Sequence, residues 1–440
     1  MIKLKTKTEV QKFDIDQDVC DSFQKKIMFY TTPSYEFFTM FCILDFQDKT
    51  LTMIRTDTDE NIKAIKEYDE ELLGMTSHSV TALNSEGFYC MPFNRVYSRC
   101  FRYIHPKTNT MNVIFGHDLK HPDSKYWGRV SASFQKPIGE EHLLIGFLRN
   151  DSNVVDVVKV DEDLNATKLY SIPDMVEPPH ELAQFGSLIV ATSFHVFKCR
   201  DMKADKFYQY ADQLLADGYD IRESIPDHIK IYPGELYSYN IDKNEMQRIE
   251  VDCPPTAHFD SDRKQYLFSS AHNLTALGGK YYFTGPAEIT KWDTVENQLV
   301  KVSTFRHKEV FRCTTHVYFE YEGNKYLSTI GYPNRLVFIN ADTMELDHYH
   351  DLEENLLSGH DDPQEFVNKI HRTNSVIDKY CLNDINVSSD GRYVIYFEKD
   401  KAKFYDFKNK EDVEQYISFP SDPAYKDDLF RTILHTAILR

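Results

Sequence analysis

Four histidines lie at or near the start of short runs whose composition is that of β-strands: His78, His180, His258 and His316. Neutral imidazole nitrogens held on rigid strands are good ligands for divalent metal ions. If equivalent strand starts converge on one axis, these four residues form a metal site. An all-histidine set with open coordination positions suits Fe(II), Mn(II) or Zn(II).

A second set of polar residues belongs to the same pattern. His195 follows His180 by 15 residues and His272 follows His258 by 14, a distance that two short strands and a tight turn span before returning to the same level. We therefore predict His195 and His272 as catalytic acid–base groups or alternative ligands. Arg129, after Gly128, is the third predicted catalytic residue, because a guanidinium can hold a carboxylate or phosphate as a fork. The alternative for Arg129 is a salt bridge between neighbouring blades.

The elements that must position these residues are strands. Seven pairs of apolar runs are joined by turn-forming residues near positions 45, 105, 161, 242, 293, 342 and 406. Most pairs are preceded by a further apolar hairpin, so the unit has four strands, at spacings around or above the kelch repeat of about 50 residues. The sequence predicts an all-β fold, a seven-bladed β-propeller formed by residues 1–440 as one domain. Short helical insertions are expected at about 56–74, 201–233 and 351–373.

Composition excludes several classes of protein. The 440 residues carry 51 basic and 69 acidic side chains, for a net charge of −18, which argues against a nucleic-acid partner. No apolar run is long enough for a transmembrane helix and none follows the N-terminal lysines as a signal peptide would, so we expect a cytoplasmic protein without a membrane span. The eight cysteines are scattered and form no CxxC pair, which favours reduced, mostly buried thiols.

One segment resembles a known family. Residues 256–262, Thr-Ala-His-Phe-Asp-Ser-Asp, are similar to the Thr-Ala-His segment of carotenoid cleavage oxygenases. That resemblance implies a seven-bladed propeller in which one histidine from each of four blades binds a non-haem iron. It therefore favours Fe(II) over Mn(II) or Zn(II). Oligogalacturonate lyases, which are seven-bladed with a histidine-rich manganese site, are an architectural analogue.

The function predicted from the sequence is that of a metal-dependent enzyme, an oxygenase or a lyase. It would act on a small-molecule substrate at the mouth of the propeller channel. Two alternatives stay open. One is a metal-free isomerase, cyclase or lyase that uses the same histidines and arginine as acid–base groups. The other is a protein-interaction scaffold whose acidic surface selects basic partners.

Overall fold

We describe the protein from a computed structural model. The residues it describes are 1–31, 38, 40–74, 76–82, 88–93, 99–130, 136–137, 142–161, 163–173, 181–185, 188–192, 196–199, 229–232, 235–250, 257–260, 265–268, 273–277, 280–284, 289–295, 298–305, 313–331, 335–352, 385–398, 401–419 and 433–439.

The first part of the chain contains two helices among many short strands. In chain order the elements are β1 (Ile2–Lys5), β2 (Lys7–Lys12), α1 (Gln17–Ser22), β3 (Lys26–Thr31), β4 (Met40–Asp45), β5 (Thr50–Arg55), α2 (Asp59–Asp69), β6 (Thr76–Ala82), β7 (Phe88–Phe93), β8 (Cys100–His105), β9 (Thr110–Phe115), β10 (Trp127–Val130), β11 (Lys136–Pro137), β12 (His142–Arg149), β13 (Val155–Asp161) and β14 (Ala166–Ile172). Single 3₁₀ turns lie at Glu70–Gly74, Gly116–Asp118 and Ser124–Tyr126.

The described elements of the remaining chain are strands. They are β15 (Glu181–Phe185), β16 (Leu188–Thr192), β17 (Val196–Cys199), β18 (Ile229–Tyr232), β19 (Glu235–Asn240), β20 (Glu245–Glu250), β21 (Ala257–Asp260), β22 (Gln265–Phe268), β23 (Asn273–Leu277), β24 (Lys280–Thr284), β25 (Ile289–Val295), β26 (Gln298–Phe305), β27 (Cys313–Tyr321), β28 (Asn324–Gly331), β29 (Arg335–Asn340), β30 (Glu345–Asp351), β31 (Ile385–Val387), β32 (Tyr393–Glu398), β33 (Lys401–Asp406), β34 (Glu411–Asp412), β35 (Ile417–Ser418) and β36 (Ile433–Leu439).

These strands pair into antiparallel sheets of two kinds. Within the described ranges, five sheets are meanders in which successive long strands are neighbours. They are the second (β6 to β9, with β1 on the outer edge), the third (β10 to β14), the fifth (β23 to β26), the sixth (β27 to β30) and the seventh (β31 to β35). The first sheet has the order β36-β3-β4-β5-β2, and the fourth has the order β15-β16-β19-β20. Two hairpins, β17–β18 and β21–β22, form separate two-stranded sheets.

A closed circuit of contacts joins the sheets. The strand β36 contacts β6, β6 contacts β11, β11 contacts β15, β15 contacts β23, β23 contacts β27, β27 contacts β31, and β31 contacts β36. Each of these strands lies at the edge of its own sheet, and we call them the inner strands. Radial sheets around a closed inner ring define a β-propeller, so the predicted all-β propeller class is confirmed. The expected count of seven regular blades is not confirmed. Five of the described sheets are regular meanders, whereas the first includes the C-terminal strand β36 and the fourth is interrupted by the β17–β18 pair.

Apolar cores fill the spaces between neighbouring sheets. Phe29, Cys42 and Leu44 of the first sheet pack with Ile395 and Phe404 of the seventh in one buried cluster. Such packing stabilises the ring, since each buried apolar side chain contributes roughly 1.5–3 kcal/mol. Two described cysteines of the first sheet region, Cys20 and Cys42, are buried thiols, as the sequence predicts.

Helix α2 follows the first sheet and lies within the predicted insertion at 56–74. The Thr58 side chain accepts a hydrogen bond from the backbone amide of Asn61, which caps the first turn. The side-chain amide of Asn61 donates to the Lys5 carbonyl at 2.6 Å and to the Thr56 carbonyl at 2.8 Å. These bonds fix α2 beside the second sheet. Within the described residues, no helix combines the length and apolar character needed to cross a bilayer.

Candidate functional site

The starts of the inner strands share one face of the propeller. A sheet of four antiparallel strands returns the chain to the face from which it started. The first strand of the next sheet therefore begins on that same face, as in the passage from the end of β9 at Phe115 to the start of β10 at Trp127. We call it the entry face. It is the face on which the sequence places the candidate site.

Two predicted metal ligands lie on inner strands at this end. His78 is the third residue of β6, and His316 is the fourth residue of β27. In both strands the pairing register shifts beside the histidine, between Ser77 and Ser79 in β6 and between Cys313 and His316 in β27. Bulges of this kind are enriched next to active sites.

The other predicted histidines have different outcomes. His180, His195 and His272 lie outside the described residues; His180 and His272 stand one position before β15 and β23 in the sequence. The sequence placed His258 at the start of the inner strand of its blade. The structure instead places His258 in the β21–β22 hairpin, paired with Leu267, and the fifth sheet starts with β23. That strand assignment is corrected, while the metal-binding role of His258 stays a prediction.

No group of three or more histidine, cysteine, aspartate or glutamate side chains is positioned to hold a metal ion among the residues that the structure describes. The predicted four-histidine set is only partly covered by this finding, because His180 lies outside the described residues. The metal site therefore depends, at this point, on strand placement alone.

Arg129 lies on β10, the first strand of the third sheet, at the entry face. A register shift between Trp127 and Arg129 interrupts the pairing with β12 at this point. The half-buried Arg129 borders a cleft of about 430 Å³ between α2, the end of the second sheet and the start of the third. The cleft, which we call the Arg129 cleft, has polar and charged lining residues from several separate segments of the chain: Tyr68, Asp69, Arg99, His117, Lys125, Arg129 and Asn150.

Two glycines allow the segments that form the cleft to approach one another. A Cβ atom on Gly116 would lie 2.3 Å from the carbonyl oxygen of Trp127, and a Cβ atom on Gly128 would lie 1.6 Å from Oδ1 of Asn150. A larger residue at Gly116 would meet the Trp127 backbone and push the two segments apart, whereas at Gly128 it would meet the end of the Asn150 side chain, which can rotate away. Gly116 therefore sets the distance between the 3₁₀ turn at Gly116–Asp118 and β10.

The electrostatics of the Arg129 cleft differ from those of the whole chain. Its lining includes three permanent cations, Arg99, Lys125 and Arg129, and one carboxylate, Asp69. Asp69 is 3.7 Å from the Arg99 guanidinium, and both side chains are partly exposed. The pKa of Tyr68 is raised, mainly by burial and then by the neighbouring Asp118 and Asp69 carboxylates. Of the lining residues, the sequence singled out only Arg129.

The reason for that gap is that the cleft is assembled from separate segments. Tyr68 and Asp69 are on α2, Arg99 precedes β8, and His117 and Lys125 lie in 3₁₀ turns. None of them starts a strand, so strand-start spacing does not indicate them. The available signal was the pair Gly116 and Gly128, which flank the connection that contains both turns.

Comparison with known proteins gives a likeness to propellers at low similarity. No protein-family model matches the chain, and no curated protein matches its sequence. Among solved structures, the WD40 β-propeller domain of Doa1 is similar, with a TM-score of 0.43, 9% identity, and coverage of 78% of this chain and 83% of that one. The Mitotic Checkpoint Complex includes a chain with a TM-score of 0.46, 11% identity and 80% coverage of both chains. We draw no functional conclusion from either. The resemblance of residues 256–262 to carotenoid cleavage oxygenases receives no support from these comparisons.

Proposed function

We propose that the protein is a metal-dependent enzyme that acts on a small molecule at the entry face of the propeller. The observation that carries the proposal is shared by His78, His316 and Arg129. Each lies near the start of the first strand of a different sheet, and each adjoins a register shift. Irregular pairing on an otherwise rigid sheet is a common feature of sites that bind or convert a ligand.

The donor chemistry supports a metal. Imidazole nitrogens from His78 and His316, joined by those of His180 and of His258 or His272, would form the set, and this set suits Fe(II), Mn(II) or Zn(II). A bound ion of this kind supplies Lewis-acid polarisation of a carbonyl or carboxylate, or activation of dioxygen. Arg129 would hold an anionic part of the substrate on the same face.

The test is elemental analysis of the full chain, purified without chelator and without a histidine tag. We expect near-stoichiometric iron, manganese or zinc in the wild-type protein and background levels in His78→Ala and His316→Ala. His350→Ala is the matched control, because His350 is on β30, at the opposite edge of the sheet that contains His316. Circular dichroism would check that all variants are folded.

Two results would overturn the proposal. One is background metal in the wild-type protein even after anaerobic reconstitution with Fe(II) and with Mn(II). The other is equal metal content in His316→Ala and His350→Ala. Either result would favour the metal-free acid–base enzyme or the interaction scaffold. Substitution of the histidines would abolish turnover by a metal-free enzyme, whereas it would leave partner binding by a scaffold intact.

A further inference from the structure

A second cleft borders the seventh sheet and contains none of the residues assigned to the metal site or to its substrate. It has a volume of about 670 Å³ and lies between α1, the start of β32 and the segment that includes the β33–β34 turn. The inner strand β31 begins on the entry face, so antiparallel pairing places the β31–β32 and β33–β34 turns on the opposite face. We call this the exit-face cleft. Its ionisable lining residues are Asp16, Asp18, Arg392, Tyr393, Asp406, Glu411, Asp412 and Glu414.

Two of the six lining carboxylates already have strong partners. Asp406 is buried and accepts a hydrogen bond from Arg392 Nη2 at 2.9 Å, besides bonds from the turn that follows it. Asp412 accepts from the Tyr396 hydroxyl at 3.0 Å, and its other oxygen lies 3.0 Å from His350 Nε2. Arg392, the one permanent cation of this lining, is therefore paired with Asp406.

The other four carboxylates have no cationic partner within the described part of the chain. Asp16 accepts a hydrogen bond from the neutral Gln415 side chain at 2.9 Å. Asp18, Glu411 and Glu414 are exposed, and their side chains form no hydrogen bond or ion pair with a described residue. Negative charge gathered in a concave site attracts cations more strongly than the same charge dispersed over a surface.

The lysines on neighbouring segments do not neutralise these carboxylates. Lys49 Nζ donates to the Ile15 carbonyl at 2.8 Å, and Lys410 Nζ lies 3.9 Å from Asp347, which is outside the cleft. Lys408 is exposed and forms no ion pair with a residue that the structure describes. The segments beside the cleft add three further carboxylates, Asp14, Asp21 and Asp390.

A buried tyrosine supplies an independent indication of a ligand. Tyr393 lines the cleft although only 3% of its surface is exposed, because its ring packs in the core between the seventh and first sheets. Its hydroxyl has no hydrogen-bond partner among the described residues. Burial raises the pKa of Tyr393, and the charges that act on its hydroxyl include those of Arg392, Asp406 and Asp18, all from the cleft lining. Since buried hydroxyls are normally hydrogen-bonded, a ligand in the cleft would supply the partner.

The placement of the carboxylates indicates which kind of cation fits. No three acidic, histidine or cysteine side chains in the described ranges come close enough together to hold a metal ion. The carboxylates without a cationic partner instead lie on two walls: Asp16 and Asp18 at the start of α1, and Glu411 and Glu414 after β33. A ligand whose positive charges are spread along a chain can contact both walls at once.

We propose that the exit-face cleft binds a linear organic polyamine. Its ammonium groups would pair with Asp18 on one wall and with Glu411 and Glu414 on the other, and one of them would donate to the Tyr393 hydroxyl. The volume of about 670 Å³ is within the range of small-molecule sites. The site is on the face opposite the metal site and needs no metal, so the inference goes beyond the proposed function.

The experiment is isothermal titration calorimetry of the full chain after dialysis against a chelator, at constant ionic strength. The probes are spermine, with four amines, putrescine, with two, Mg²⁺ and the peptide tetralysine. We expect one saturable spermine site, at least about tenfold tighter than putrescine because more ammonium groups reach carboxylates, and tighter than Mg²⁺. Tetralysine should bind more weakly than spermine, since its charges are on side chains of a bulkier backbone.

Three substitutions make the test specific. Asp18→Asn and Glu411→Gln should each weaken spermine binding about threefold, and the double variant about tenfold, as expected for partly exposed ion pairs. Tyr393→Phe keeps the ring and should also weaken binding severalfold. Its Tm should equal that of the wild type, because the hydroxyl has no protein partner to lose. Glu245→Gln is the charge-matched control, since Glu245 is an exposed carboxylate on β20 of the fourth sheet.

The absence of saturable spermine binding to the wild-type protein would overturn the proposal. Equal spermine affinities in Glu411→Gln and Glu245→Gln would overturn it too, because they would show attraction to the net charge of the chain alone. Tetralysine that bound as tightly as spermine would replace the polyamine with a basic segment of a partner protein. A protein that binds spermine as expected but has no metal would refute the proposed function and leave this inference standing.

Discussion

His348 lies in the seam between the sixth and seventh sheets and is nearly buried. Its ring stacks on Phe338 at 4.5 Å, with Nε2 at 2.9 Å from the Tyr405 hydroxyl and Nδ1 at 2.6 Å from Asp347. A neutral ring protonated on Nδ1 donates to Asp347 and accepts from Tyr405. Burial lowers the pKa of His348, with Lys410 and His350 acting in the same direction and Asp347 opposing them. The folded protein therefore favours the neutral ring.

This preference predicts a loss of stability in mild acid. With its pKa lowered on folding, His348 binds a proton more readily in the unfolded chain, so its contribution is present above the unfolded pKa of about 6.5 and is lost as the pH falls through the folded value. We expect this residue to lower the Tm by about 1 °C between pH 7.5 and pH 5.5 in calorimetry. His348→Phe keeps a stacked ring but cannot titrate, and should reduce that fall. An identical pH profile in the variant would contradict the assignment.

At the scale of elements, the hairpin turns could be predicted from the sequence because their chemistry is local. Asp45 Oδ1 accepts hydrogen bonds from the backbone amides of Gln47 and Asp48, both at 3.1 Å. Asn340 Oδ1 does the same for Asp342 and Thr343, at 3.0 and 2.9 Å. Each such turn needs only an aspartate or asparagine at the end of a strand. All seven predicted hairpins are confirmed as antiparallel pairs.

Long-range pairing could not be predicted in the same way. His258 and His272 both stand before or within short apolar runs, and nothing local shows that β23 joins the ring while β21 does not. The same limit applies to the Arg129 cleft, whose lining residues come from separate segments of the chain. Of the candidate site, strand starts indicated His78, His316 and Arg129, while Arg99, Lys125 and Asp69 depend on how the sheets pack.

The seam between the sixth and seventh sheets also depends on one glycine. Gly391 has φ of +77°, and a Cβ atom there would lie 2.1 Å from the Glu320 carbonyl oxygen on β27. Gly323 has a similar φ of +80° with no atom within 4 Å of that position. Gly391→Ala should therefore cost backbone strain plus a clash between sheets, about 3 kcal/mol or more, whereas Gly323→Ala should cost about 1 kcal/mol.

Urea denaturation of the two glycine variants would measure the difference. Because both positions have positive φ, the two substitutions cost a similar free energy of backbone strain. Any further loss of unfolding free energy in Gly391→Ala therefore reports the contact between the sheets. Equal free energies of unfolding would show that the β31–β32 turn does not constrain the seam.

For the whole molecule, closure of the ring depends on β36. This strand pairs with β3 from Lys26↔Leu439 to Thr31↔Ile433, and it contacts β6 and β31 of the two neighbouring sheets. An open ring would leave the edge of β3 unpaired and expose the apolar surface of Ile27 and Phe29, which are buried in the closed fold. The inner ring is thus completed by residues that are some 400 positions apart in the sequence.

Two truncations would test this dependence on β36. Removal of residues 431–440 should abolish the cooperative unfolding transition or lower the Tm by several degrees, a loss of roughly 3 kcal/mol or more, and it should promote association through the β3 edge. Removal of residues 1–5 is the comparison, because it deletes β1, which pairs only at the outer edge of the second sheet. That truncation should lower the Tm much less, since the inner circuit stays closed. Differential scanning calorimetry with size-exclusion chromatography would measure both effects, and equal losses from the two truncations would show that the ring does not depend on β36.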